Sequence, residues 1–175
     1  MLISNTLGPV NRSMGMGGIG DLAFRQGDYE QARAYYEALL HLTTDNGYRA
    51  WTHAHLGHVL LRQGDSVGSR QRFEQALQRF NGSGWKIGVI YTVEGLASLE
   101  VVQTQLKRAV LLLGWAEAIR KEIDNRRPPV EQADIDFVLS KIRAGMDDDS
   151  FHTAWAEGQT LTIEQAVTLA LGQNG

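Results

Sequence analysis

An all-α fold of helical hairpins stacked in series follows from three observations. Proline occurs only at 9, 128 and 129, which leaves the long intervening stretch open to uninterrupted helices. Nineteen glycines then act as punctuation. The third observation is a repeat: Arg25-Gln26-Gly27-Asp28 returns as Arg62-Gln63-Gly64-Asp65, an offset of 37 residues. Flanking positions keep their character, with Ile19 on Leu56, Gly20 on Gly57, Arg33 on Arg70, Tyr36 on Phe73, Glu37 on Glu74 and Leu40 on Leu77.

Each copy reads as helix, tight turn, helix. Gly27 supplies the left-handed backbone that ends the first helix, and Asp28 with Gln31 forms a D-x-x-Q start signal for the second. Small residues at Gly20, Gly57 and Ala97, and at Ala32, Ser69 and Ala109, let paired helices approach, while Tyr36, Phe73 and Leu113 fill the gap between hairpins. Leu56, Phe73 and Leu113 are therefore expected in the core. The third copy is weaker, with Leu96-Ala97 in place of Leu56-Gly57 and Thr104 in place of the turn glycine.

The resulting helices are expected near residues 13–25, 29–43, 48–62, 66–80, 86–102 and 105–123. Links at 43–48 and 81–85 lengthen the period beyond the usual value of about 34 and are expected to project as exposed elbows. Residues 1–13 are expected to be irregular, which leaves the outer face of the first hairpin to be covered by an upstream repeat, a second copy of the chain or the N-terminal segment. Pro128-Pro129 ends the third hairpin and starts a different arrangement, with helices expected near 130–144, 149–157 and 163–171. Asp148 or Asp149 is expected to cap the second of these, and Thr162 with Gln165 to box the third. The division expected is 1–127 for three hairpins and 128–175 for a C-terminal helical cap packed as part of the same domain. Terminal units of a stacked array need such closure.

Composition bounds the chemistry. With 175 residues, 43% of them hydrophobic, the chain has the size and apolar content of one globular domain. The absence of cysteine excludes disulfides, thiolate catalysis and cysteine-ligated metals. A formal charge of -3 gives no global positive field for nucleic acid or an anionic membrane. The first ten residues lack the basic segment of a secretory signal, the longest apolar run spans 109–116, and no G-x-x-x-x-G-K-[ST] loop occurs. These features predict a cytoplasmic protein without membrane segments or an NTPase engine of its own.

The repeated hairpins resemble tetratricopeptide repeats (TPR). More narrowly, Val93 to Ala97, Arg108-Ala109, Leu112 to Gly114, Ala116 to Arg120, Phe151 to Gly158 and Leu161 to Leu171 resemble the C-terminal TPR-like helical region of large bacterial regulators, of LuxR type or related, that join an NTPase to a DNA-binding or other output domain. The resemblance implies a TPR-like α-α superhelix of three hairpins. It also implies a non-catalytic scaffold for protein–protein interaction in signal transduction or transcription regulation. Alternatives are a small-molecule effector-sensing domain and a self-association module acting through the N-terminal hairpin. The expected partner is a protein or peptide, with no direct nucleic acid binding, and no cofactor is implied.

In this resemblance the first helix of each hairpin lines the concave surface. Matching the copies places Met14, Asp21 and Arg25, then Trp51, His58 and Arg62, then Tyr91, Glu94 and Ser98 along it. Aromatic anchors and arginine forks suit a bound peptide segment.

Other motifs have plainer readings. His53, His55 and His58 share one helix, but His53 lies about 160° from His55 at about 100° per residue, so packing is favoured over a metal site. Gly15 to Gly20 satisfies G-x-G-x-x-G without the strand that dinucleotide binding needs. The acids at 147–149 suit a helix start, and Arg120, Lys121, Arg126 and Arg127 form a basic patch near a helix end. No nucleophile elbow or paired catalytic carboxylate is present, so no enzymatic activity is expected.

Overall fold

A computed structural model describes residues 9–80 and 84–172, with side chains from Gly15 onward. Among them are nine helices and no strands: α1 Pro9–Arg25, α2 Tyr29–Leu42, α3 Asn46–Arg62, α4 Ser66–Phe80, α5 Lys86–Val102, α6 Leu106–Glu122, α7 Pro129–Gly145, α8 Asp148–Gln159 and α9 Ile163–Ala170. Residues 1–8, the side chain of Met14 and most of the second link, 81–83, lie outside the described residues.

The chain divides into two compact units, Met1–Gly88 and Val89–Gly175. In the first, α1 packs on α2, α2 on α3 and α3 on α4. In the second, α6 is the central element, meeting α7, α8 and α9. The second unit holds α5 from Val89 onward together with α6 to α9.

Gly27 and Gly64 both adopt φ near +80°, where glycine avoids the clash that a Cβ brings, and each precedes an aspartate. Asp28 accepts the Gln31 amide at 3.0 Å, and Asp65 accepts the Gly68 amide at 2.8 Å. In the third copy Thr104 takes the left-handed position at φ 60°, so the turn survives the loss of glycine with a β-branched residue in strained backbone.

Between paired helices, close approach has a specific partner. A Cβ on Gly57 would lie 2.5 Å from the Phe73 ring, and one on Gly20 would lie 2.8 Å from the Tyr36 ring, so the same aromatic-on-glycine contact recurs in both copies. The Ser69 hydroxyl, fully buried, donates to the Gly57 carbonyl at 2.8 Å. Leu56, Phe73 and Leu113 are buried, as the repeat predicts. The aromatic fills space inside its own hairpin, and Tyr36 also reaches the next hairpin by stacking on His55 at 5.2 Å.

Three expectations are corrected. Residues 9–13 are helical, because Pro9 in the first position needs no amide partner and carries φ suited to a helix. The link at 43–48 is not an open elbow throughout: Thr43 is buried, α3 begins at Asn46, and Arg49 Nη1 donates to the carbonyls of Leu40 at 2.6 Å and Thr43 at 3.1 Å. Asp147, rather than Asp148 or Asp149, caps α8 by accepting the Ser150 amide at 2.8 Å, which leaves the other two acids in the first turn facing the helix dipole. The Thr162–Gln165 box forms in full.

In the second unit, α6 is buried from Ala109 to Ala116. It meets α8 through two glycines set against backbone: a Cβ on Gly114 would approach the Trp155 carbonyl at 2.6 Å, and Gly158 lies against the Leu111 carbonyl. Phe151 stacks on Trp155 at 5.6 Å beneath the Arg143 guanidinium. Arg108 donates to the carbonyls of Leu169 and Ala170 and lies 3.6 Å from the buried Glu100. It thereby ties the end of α9 to α6.

Candidate interaction surface

On α3, Trp51, His55, His58 and Arg62 fall at spacings of four, three and four, which makes one stripe along the helix. The repeat offset places Gly18, Asp21 and Arg25 on the corresponding stripe of α1. The two stripes meet. Asp21 Oδ1 accepts the Tyr36 hydroxyl at 2.5 Å and lies 3.8 Å from His55 Nδ1. His55 is sandwiched, stacked on Tyr36 at 5.2 Å and on Trp51 at 5.9 Å. Burial between those rings pulls the imidazole below its ordinary pKa, against the opposing pull of Asp21.

Trp51 also meets Phe80 edge-on at 5.4 Å, and His58 meets Phe73 edge-on at 5.0 Å. Both are half-buried, so each has a packing role beside the face it presents. Arg25 and Arg62 are exposed at the C-terminal end of their helices, one repeat apart. The surface thus has an aromatic and imidazole centre with an arginine at the C-terminal end of each helix. His55 belongs to it although sequence reasoning left it out, because its counterpart in the first copy is the uninformative Gly18.

The residues of the third copy lie in the second unit. Tyr91 and Ser98 are half-buried, and Ser98 donates its hydroxyl to the Glu94 carbonyl at 3.0 Å. Glu94 is corrected: its side chain does not line an open surface but is 4% exposed and already engaged. Arg120 holds it with a two-pronged contact, Nε and Nη2 each at 2.8 Å, and Arg127 Nε adds a third at 2.8 Å. Arg127 reaches Glu117 at 2.6 Å, and Arg120 reaches Asn125 Oδ1 at 2.5 Å. Of the basic patch expected around 120–127, Arg120 and Arg127 are internal, their side chains 5% and 6% exposed, while Lys121 and Arg126 remain at the surface.

The three histidines of α3 occupy separate surroundings. His55 and His58 belong to the stripe just described, while His53 is buried on the opposite side of α3. No group of three metal-ligating side chains occurs among the described residues, and no helix among them is long and apolar enough to cross a membrane.

Residues 11–82 match the family model of the tetratricopeptide repeat. That segment takes in nearly all of α1 to α4, the two hairpins that carry the stripe. No curated protein and no solved structure matches the chain. The fold is all-α and TPR-like, in agreement with the reading from the repeat.

Proposed function

We propose that this chain is a non-catalytic interaction module that receives a segment of a protein partner on the α1/α3 stripe. Tetratricopeptide repeats typically mediate protein–protein interaction, and the match to that repeat covers the helices concerned. The observation that carries the reading is the meeting of the two stripes at Asp21 and His55. It joins exposed Arg25 and Arg62 to the half-buried Trp51 in one surface, a combination enriched where peptides dock. Arginine forks at the C-terminal ends of the two helices suit carboxylates on the partner.

Tyr91 and Ser98 are proposed as a separate contact set within the second unit. The setting we propose is regulation in bacterial signalling or transcription, in the cytoplasm, supported by the resemblance of residues 93–120 and 151–171 to the terminal repeats of such regulators. Self-association is a second reading. It is favoured by Ile19 and Leu22 of α1, which are 44% and 55% exposed, and light scattering of the purified chain decides it.

Charge reversal tests the main reading without disturbing the core. The double variant Arg25→Glu, Arg62→Glu keeps the helical circular dichroism, with a small loss of melting temperature from the reversed charges in the last turns of α1 and α3, while reducing partner affinity at least about tenfold, as expected when two charge-assisted contacts are lost. Unchanged affinity overturns the assignment. Trp51→Ala is a less clean probe, because it also removes the contact with Phe80.

A further inference from the structure

A cleft of about 390 Å³ opens in the first unit on the side of α3 away from Trp51 and His55. Three helix faces converge on it. From α2 come Glu37, Leu40 and His41, from α3 Arg49 and His53, and from α4 Arg72, Gln75 and Arg79. Arg49 and His53 lie four apart, and Arg72, Gln75 and Arg79 lie three, four and seven apart, while Leu40 and His41 lie three and four residues from Glu37, so each set shares one face. The convergence is built by the hairpin packing and owes nothing to adjacency in sequence.

From this cleft we infer a binding site for a small phosphorylated molecule, in which Arg49, Arg72 and Arg79 surround the phosphate group and His53 contributes a further polar contact. The charge pattern is the first support. Three guanidinium groups share the cleft with a single carboxylate, Glu37, and that carboxylate is taken by Arg33 on the same helix at 2.9 Å. No carboxylate among the described residues pairs with Arg49, Arg72 or Arg79. Like charges held together without a counter-charge repel, and a bound anion relieves that repulsion.

Unused hydrogen-bonding capacity is the second support. His53 is 4% exposed, and its Nδ1 has no partner; Arg79 Nε is likewise buried and unpartnered. Buried polar atoms are normally satisfied, so two orphans in one cleft mark a place where a ligand supplies the missing contacts. The remaining contacts of the arginines are modest. Arg72 Nη1 reaches Gln75 Oε1 at 3.5 Å and Arg79 Nη1 reaches the Gln75 carbonyl at 3.4 Å. Arg49 spends Nη1 on the carbonyls of Leu40 and Thr43, which fixes its guanidinium at the rim.

Ligand class follows from charge and size. A phosphate monoester carries close to two negative charges and three acceptor oxygens, which matches several guanidinium forks better than a single carboxylate does. The volume lies within the range of small-molecule sites, so a compact ester fits better than a macromolecular surface. Burial holds the His53 pKa down at about 4, and Arg79, Arg72 and Arg49 push the same way. From α2, the Glu37 carboxylate and the His41 imidazole also face the cleft. A bound phosphate cancels the arginine contribution and raises the His53 pKa. This site is independent of the proposed partner surface, which lies on the other side of α3.

The experiment uses the full chain with inorganic phosphate and phenyl phosphate as probes, at ionic strength fixed with sodium chloride. The expected result is a saturable rise in melting temperature, together with an upfield-to-downfield movement of the His53 imidazole resonances as its pKa rises. Arg72→Gln with Arg79→Gln is expected to weaken binding at least about tenfold, Arg72→Lys to weaken it less, and Lys107→Gln in the second unit to leave it unchanged. Absence of saturation overturns the site, as does saturation that the Arg72 variants do not alter. Should the double glutamine variant fail to fold, the Arg72→Lys affinity and the wild-type His53 titration carry the decision. Equal binding of acetate and phosphate, or binding of a phosphoserine peptide without phenyl phosphate, overturns the assignment to a small phosphate ester.

Discussion

His53 shows how one residue's surroundings set both its chemistry and its contribution to stability. Desolvation comes first, and the arginines at 79, 72 and 49 add to it, so the folded-state pKa falls to about 4. In the unfolded chain the ordinary value near 6.5 returns. Between these values the unfolded chain binds the proton and the folded one does not, so acid favours unfolding. Stability is expected to be undiminished by this residue above about pH 6.5, to decline by up to about 3 kcal/mol as pH falls toward 4, and to level off below. Urea midpoints across that range, compared with His53→Gln, measure it. A variant whose pH profile runs parallel to the wild type contradicts the account. Sequence reasoning set His53 apart from His55 by helical angle. It missed the arginines beside it, because Arg72 and Arg79 reach His53 only once α4 has folded against α3.

At the scale of elements, helix limits and turns were largely legible, because the signals are local: an aspartate before α2 and before α4, Gly27 and Gly64 at left-handed turns, and Thr162 with Gln165. Glu94 was not legible as a buried group. Its place in the repeat suggested an open surface, while Arg120 and Arg127 come from more distant chain and close over it. The packing of α6 on α8 was equally hidden, since nothing local marks Gly114 and Gly158 as facing glycines. Their role is testable. Gly158→Ala forces a methyl group against the Leu111 backbone, which cannot swing aside as a side chain does. It is expected to destabilise by about 2–3 kcal/mol through overpacking. Gly15→Ala, with no atom within 4 Å of the new Cβ, is expected to stabilise by about 0.5–1 kcal/mol through helix propensity. Urea unfolding followed by circular dichroism compares the two, and equal effects contradict the close approach.

For the whole molecule, the account rests on a division of labour within the first unit. Aromatic-on-glycine contacts hold the hairpins, one side of α3 is proposed for a protein segment, and the other side for a phosphate. The repeat made the first of these visible and suggested the second through Trp51, His58 and Arg62. It gave no hint of the third, which depends on three helices meeting. The central claim is that the α1/α3 stripe meets a partner. It is tested most directly by installing a photo-crosslinking amino acid at position 62 and, as a control, at exposed Val67 on α4. The account predicts a discrete protein adduct from position 62 in native cells, absent at 67 and lost when Arg25→Glu is added. An adduct from 67 alone, or one from 62 that Arg25→Glu leaves unchanged, contradicts it.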